Sequence, residues 1–292
     1  MLVQWYPGHM NKARKMMEGE IKLVDLVIEI LDARAPLSSR NPEIDKLAAN
    51  KSRLVLLNKA DLADNNANEA WKKYFESKNI EVVLLNSRNK EGIRLVLPAA
   101  KNACKEKILR DQNRGIKNRP IRAMVAGIPN VGKSTFINAF LGKNVAKTGN
   151  KPGVTIGKQW VKISNELELL DTPGILWPKF EDQNVGIRLA QLGSINDEIL
   201  QIEELACLLL KYLYEAYPAL IKERYGIDAD TFNALNETED RFVNEESLML
   251  DAVCKKRGCL KQGGVSDYFK ASNLVLDEFR NGKIGRISLE RP

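Results

Sequence analysis

Two stretches of this 292-residue sequence have residue types and spacings suited to phosphate and base chemistry. GIPNVGKS, residues 127–134, has the spacing G-x-x-x-x-G-K-S between the apolar run AMVA (123–126) and the helical stretch TFINAFLG. Gly127 and Gly132 permit a tight turn whose backbone N–H groups can surround phosphate oxygens, and the following helix adds its positive N-terminal end. Lys133 is expected to reach the β- and γ-phosphates and Ser134 to ligate Mg²⁺. Asn130, Val131, Gly132 and Thr135 complete the loop's contacts. The second stretch is Asn58-Lys59-Ala60-Asp61, directly after RLVLL (53–57). An ionised Asp61 can accept from both the N1–H and the exocyclic amine of guanine. Adenine offers no such pair, and a buried carboxylate left unpaired is costly. Asn58 would tie this loop to the phosphate loop, and the Lys59 stem would cover the base.

N-K-x-D after a buried strand resembles the guanine-specificity motif of GTPases, and other stretches resemble their remaining motifs. EVVLL (81–85) ends in Asn86-Ser87-Arg88, where GTPases carry Ser-Ala-Lys. The difference in sequence leaves Asn86 and Ser87 only the backbone role toward the guanine oxygen. Asp171-Thr172-Pro173-Gly174 matches D-x-x-G, with Asp171 supporting the Mg²⁺ shell and the Gly174 N–H sensing the γ-phosphate. Pro152-Gly153-Val154-Thr155 resembles the first switch. Thr155 would complete the Mg²⁺ shell, with Thr148 its nearest rival. Asn130 stands where potassium-activated GTPases hold K⁺, although an asparagine also suits a tight turn for its own sake. Many GTPases place a glutamine just after D-x-x-G to orient the attacking water. Here that residue is Ile175, which can neither donate nor accept. The catalytic polar group must come from elsewhere in the chain, from a partner or from a metal. His9, in WYPGHM, is the single histidine and the internal candidate. Otherwise it caps a turn or packs against Trp5.

These residues need a scaffold, and the first two-thirds of the chain supplies its pattern. Short runs rich in Val, Ile and Leu at 26–31, 53–57, 81–85, 123–126, 159–163 and 168–170 alternate with amphipathic stretches. That alternation predicts an α/β domain with a mainly parallel sheet. Beyond about residue 185 the texture becomes helical. Ile199, Ile202, Leu205, Leu209 and Leu213 would share one face of a helix over 198–214, and further helices are predicted over 245–256 and 267–279. The expected domains are 1–180, α/β, and 181–292, a smaller all-α unit. Met10, Ala13, Met17, Ile21 and Val24 form a stripe read as core.

Composition excludes several classes. One histidine and four cysteines without a C-x-x-C pair cannot build a His-rich metal centre and do not suggest a zinc ribbon or a disulfide scaffold. The cysteines are read as core fillers. The sequence has no apolar leader and no run long enough to span a bilayer, so a cytoplasmic protein without membrane attachment is expected. The formal charge is +7, and residues 101–122 carry eight basic groups against two acids. A polyanion such as RNA is the simplest partner for that stretch, a solvated helix face the plainer alternative. Arg114, Lys117, Arg119, Lys255, Lys256, Arg257 and Lys261 are the candidate RNA contacts, and Tyr268 and Phe269 could stack on bases or pack in the core.

The order of the motifs is unusual, because the base reader precedes the phosphate loop and D-x-x-G comes third. The chain resembles a circularly permuted P-loop GTPase, with 101–122 bridging the former termini. WYPGHMNKA, DARAPLSSRNP (32–42), NKAD, GIPNVGKST, KPGVT, LLDTPGI and the closing stretch 255–290 together resemble the ribosome biogenesis GTPase A family, of the YlqF/RbgA type. The resemblance covers nearly the whole chain. It implies GTP/GDP, Mg²⁺ and a K⁺ ion as ligands, and a large-subunit precursor with its rRNA as partner. It also implies a catalytic role for His9 beside Lys133 and Thr155. The implied activity is particle-stimulated GTP hydrolysis in late large-subunit maturation, driving release, by a protein that is a monomer when free. The rivals are a GTP-dependent RNA-binding scaffold with little hydrolysis and a GTPase acting on tRNA modification or a signalling partner.

Overall fold

The computed structural model describes residues 17–116, 119–142, 159–171, 180–228 and 245–292. His9, Lys117, Thr148, Thr155, Gly174 and Ile175 lie outside the described residues, and of Asp171 only the backbone is described. Among the described residues, one unit runs to Val185 and also takes in Ser288–Pro292; the other is Gly186–Ile287.

The α/β unit follows the predicted alternation. It contains β1 (Leu26–Asp32), α1 (Pro42–Leu47), β2 (Ser52–Asn58), α2 (Asn65–Glu76), β3 (Glu81–Leu84), α3 (Ile93–Ala103), α4 (Lys105–Asn113), β4 (Ile121–Ala126), α5 (Lys133–Leu141), β5 (Gln159–Lys162) and β6 (Leu167–Asp171). The strand order is β3-β2-β1-β4-β6-β5, parallel throughout except for β5 against β6. Both sheet faces are covered, which is why apolar residues dominate the strands. Val27, Met124 and Leu170 pack against Met17, Ile21 and Val24, so that part of the predicted stripe is core. Leu31, Val55 and Leu57 pack against Trp71 and Phe75 of α2. Ile28, Ile30, Leu54 and Leu56 alternate to the other face and are fully buried.

The chain lays down β1, β2 and β3 in one direction across the sheet and β4 then β6 in the other. The order therefore reverses between β1 and β4. In an open parallel sheet, ligands occupy the crevice beyond the carboxyl ends of the strands at such a reversal. β1 ends there in Asp32, β2 in Asn58, β4 in Ala126 just before Gly127, and β6 in Asp171, paired with Val125.

The helical unit contains α7 (Ile202–Ala216), α8 (Pro218–Tyr225), α9 (Glu245–Arg257) and α10 (Tyr268–Arg280), while α6 (Gln183–Gln191) spans the boundary in sequence. Ile202, Leu205, Leu209 and Leu213 are buried as expected, but Ile199 is 54% exposed. The Asn196 side chain caps a 3-10 turn, Asp197–Ile199, and Leu200 is extended, so the helix begins at Ile202 rather than at 198. Glu278 on α10 is buried and accepts from Arg224, Arg257 and the Tyr225 hydroxyl. Arg280 pairs with Asp197 and caps the carbonyls of Ala190 and Gln191. All four cysteines are free and buried. Among the described residues no helix is long and apolar enough to cross a membrane.

Candidate nucleotide site

The phosphate loop leaves β4 at Gly127 and enters α5 at Lys133. Gly132 holds φ at +96°, and a Cβ there would lie 2.4 Å from Asn58 Nδ2. Only glycine lets the base-reading loop approach this closely. Asn130 is also left-handed, at φ +61°, a conformation asparagine tolerates better than most residues. That satisfies the turn reading of Asn130. The Lys133 ammonium lies 3.1 Å from the carbonyls of Gly127 and Ile128, folded over its own loop. Ser134 and Thr135 follow in the first turn of α5 and are partly exposed.

Asn58 joins the two loops as expected. Its Nδ2 donates to the Val131 carbonyl at 2.7 Å. Its Oδ1 accepts from the Ser87 N–H at 3.1 Å and the Ser87 hydroxyl at 2.8 Å. The Ser87 backbone group expected to face the base thus donates to Asn58, and the Ser87 side chain, given no role from sequence, does the same. Asn86 Oδ1 accepts from the N–H groups of Arg88 and Asn89, closing the turn behind Ser87. Asp61 is exposed, its carboxylate open to a ligand's donors. The loop that carries it is pinned at Ala60, whose N–H donates to the Leu85 carbonyl and whose carbonyl accepts from Asn68 of α2.

Lys59 carries more than the expected cover for a base. It sits at φ +58°, and its ammonium bonds both Asp32 Oδ2 and the Asn130 carbonyl at 2.9 Å. Asp32 in turn grips Arg34 through two parallel bonds of 2.9 Å, and both side chains are 1% exposed. Burial alone would raise the Asp32 carboxyl, but Arg34 and then Lys59 outweigh it and hold Asp32 well below the usual carboxylate range. Burial pulls the Lys59 ammonium below its usual value, with Asp32 opposing. Asp32 and Arg34 were present in the DARAP string of the sequence, but that string carried no chemical assignment. The available signal was a charged pair closing a strand whose residues are apolar but for Glu29.

The basic residues have more partners than the sequence suggests. In the 101–122 stretch, Lys101 pairs with Glu166, Lys107 with Asp111 and Asp25, Arg119 with Asp25 and Asp111, and Arg122 with Glu168. Asp25, Glu166 and Glu168 lie outside the segment, so it is less cationic in space than in sequence. Arg114 is exposed at the end of α4. In the helical unit Arg257 is committed to Glu278 and Lys255 pairs with Asp251, while Lys256 and Lys261 are exposed. Phe269 is 62% and Tyr268 39% exposed, so neither is core.

A phosphate loop and a guanine-reading loop locked together at the reversal of a parallel sheet define a P-loop GTPase. Residues 122–241 match the family described as 50S ribosome-binding GTPase. Ribosome biogenesis GTPase A of Bacillus cereus is 49% identical over this entire chain and 95% of the relative. That of Bacillus licheniformis is 47% identical over the entire chain and 99% of the relative. Among solved structures, GDP-bound TM YlqF is 27% identical with a TM-score of 0.68, covering 95% of this chain and 99% of the other. GNP-bound YlqF from T. maritima has a TM-score of 0.65, 27% identity and coverage of 96% and 98%. The chain belongs to the ribosome biogenesis GTPase A family. It is a circularly permuted guanine-nucleotide-binding GTPase.

Removing the buried charge at the site's centre tests the network. Asp32→Asn removes the buried negative charge that Arg34 and Lys59 pair with and is expected to lower the unfolding free energy by about 3–5 kcal/mol near pH 7. A depressed carboxyl contributes stability that is complete above the ordinary value, about 4, and is lost as pH falls through the lower folded value. The gap between wild type and variant should therefore narrow below about pH 4. Denaturant titrations at neutral and acid pH measure it; a constant gap would contradict the assignment.

Proposed function

We propose that this GTPase binds a precursor of the large ribosomal subunit through its rRNA, that the particle stimulates hydrolysis, and that hydrolysis drives release late in maturation. The observation that carries the reading is the bond from Asn58 to Val131, 73 residues further along, which joins the candidate base-reading and phosphate loops. The ribosomal part is supported by family membership, and in the helical unit by exposed Lys256, Lys261, Tyr268 and Phe269, which suit phosphate contact and base stacking. The free protein acts as a cytoplasmic monomer.

Ser134, Thr155 and Asp171 would hold Mg²⁺. The fit rests on backbone register: β6 ends at Asp171 opposite Val125, two residues before the phosphate loop, and Ser134 lies in the first turn of α5. The ion would neutralise charge developing between the β- and γ-phosphates. Lys133 would turn from its own loop carbonyls to those phosphates, and the Gly174 N–H would report the γ-phosphate. Asn130 would hold K⁺ beside them, and His9 would orient the attacking water.

Cosedimentation with large-subunit precursors should be strong with a non-hydrolysable GTP analogue and weak with GDP. The same particles should accelerate phosphate release, and a protein that binds without acceleration would be a scaffold instead. His9→Ala should keep nucleotide affinity and lose most of the stimulated turnover; undiminished stimulation would remove His9 from the mechanism. Replacing KCl by NaCl at equal ionic strength should slow hydrolysis, and equal rates would count against the K⁺ site.

A further inference from the structure

The segment Ser288–Pro292 belongs to the α/β unit although the helical unit separates it from Val185 in sequence. It contacts two places. The Leu289 N–H donates to the Arg34 carbonyl at 2.7 Å. The Glu290 carboxylate accepts from the Ser38 N–H at 3.0 Å, the Ser38 hydroxyl at 2.8 Å and the Leu37 N–H. These contacts clasp the loop between β1 and α1. On the other side, the Ser288 hydroxyl accepts from the Asp64 N–H at 3.2 Å, Arg291 pairs with the Asp64 carboxylate at 2.8 Å, and Trp71 of α2 donates to the Glu290 carbonyl at 3.3 Å.

Both clasped elements act on the base reader. The 34–38 loop begins at Arg34, whose pair with Asp32 orients Lys59. Asp64 caps α2, accepting from the N–H groups of Asn66 and Ala67, and α2 carries the Asn68 amide that holds the Ala60 carbonyl. Ala60 is the residue before Asp61. The strap thus fixes, from behind, the two supports between which residues 58–61 are suspended.

We propose that Ser288–Pro292, with Glu290 at its centre, is a positioning element for guanine recognition: it sets the loop so that the Asp61 carboxylate meets both donors of the base. The inference rests on the nucleotide site described above. Glu290 does not touch the nucleotide; it acts through Asp32–Lys59 and through α2.

The test compares GDP with IDP, whose base lacks the exocyclic amine and so keeps one of the two donors. Affinities are measured well below the melting temperature of each protein, for the full chain, Glu290→Ala and a variant lacking 288–292. A loosened loop should cost GDP about tenfold, the worth of one charge-assisted hydrogen bond, and IDP less, so the preference for GDP shrinks. A staple that merely stabilised the domain would lower the melting temperature and leave that preference unchanged. Should the deletion fail to fold, Glu290→Ala alone decides. Wild-type GDP-over-IDP preference in Glu290→Ala would overturn the proposal. A wild-type protein that does not distinguish GDP from IDP would overturn the base reader itself, and this inference with it.

Discussion

Burying the Asp32 carboxylate at the end of β1 is costly unless cations meet it inside the protein, because desolvation of a lone charge costs several kcal/mol. The two cations that do so are not interchangeable. Arg34 offers a planar fork that donates to both carboxylate oxygens. Lys59 brings a single ammonium from the adjacent strand and has donors left over, one of which reaches the Asn130 carbonyl across the strand-order reversal. A requirement for charge neutrality at one strand end therefore becomes a mechanical link among the β1 loop, the base reader and the phosphate loop. Asn58 makes the parallel link with neutral bonds one residue earlier.

The permuted order of the chain changes which parts hold which. β1 and β2 come first in sequence, and they carry the loop proposed to read guanine. β4 and β6 come later and carry the residues proposed to hold the phosphates. The two halves are joined where β1 pairs with β4, through Leu26 to Glu29, and at the carboxyl edge beyond it. At that edge the bonds are side chain to backbone: Asn58 to Val131 and Lys59 to Asn130. A permuted chain keeps the geometry because those bonds depend on strand adjacency and are indifferent to connection order.

Much of this was legible in the sequence. All six predicted strands lie within two residues of their predicted positions, because short runs dominated by apolar residues between amphipathic stretches mark the strands of a covered sheet. The two loops were identified by residue type and spacing, and the Asn58 bridge came with the resemblance to the guanine-specificity motif. Less legible were features set by distant partners. Nothing local to Lys101, Lys107 or Arg122 announced Glu166, Asp25 or Glu168. Arg257 read as a free cation until Glu278 was brought beside it. Ile199 has the right periodicity for the buried face, but a three-residue turn capped by Asn196 precedes the helix and turns it outward. The role of Glu290 was unreadable, since a carboxylate near a chain end carries no sign of which backbone N–H groups it will cap.

The Glu290–Ser38 contact joins residues 252 positions apart, so it belongs to the latest-forming class of native contacts in this chain. During synthesis β1, β2 and α2 can pair as soon as they emerge, and the phosphate loop can dock once β4 follows. The strap is translated after the whole helical unit. Between those moments the protein holds a nucleotide edge with both loops present but without its rear brace. Base recognition is thus the last property of the α/β unit to mature, and a chain truncated before residue 288 would be recognisable by its fold before it is competent in its choice of ligand.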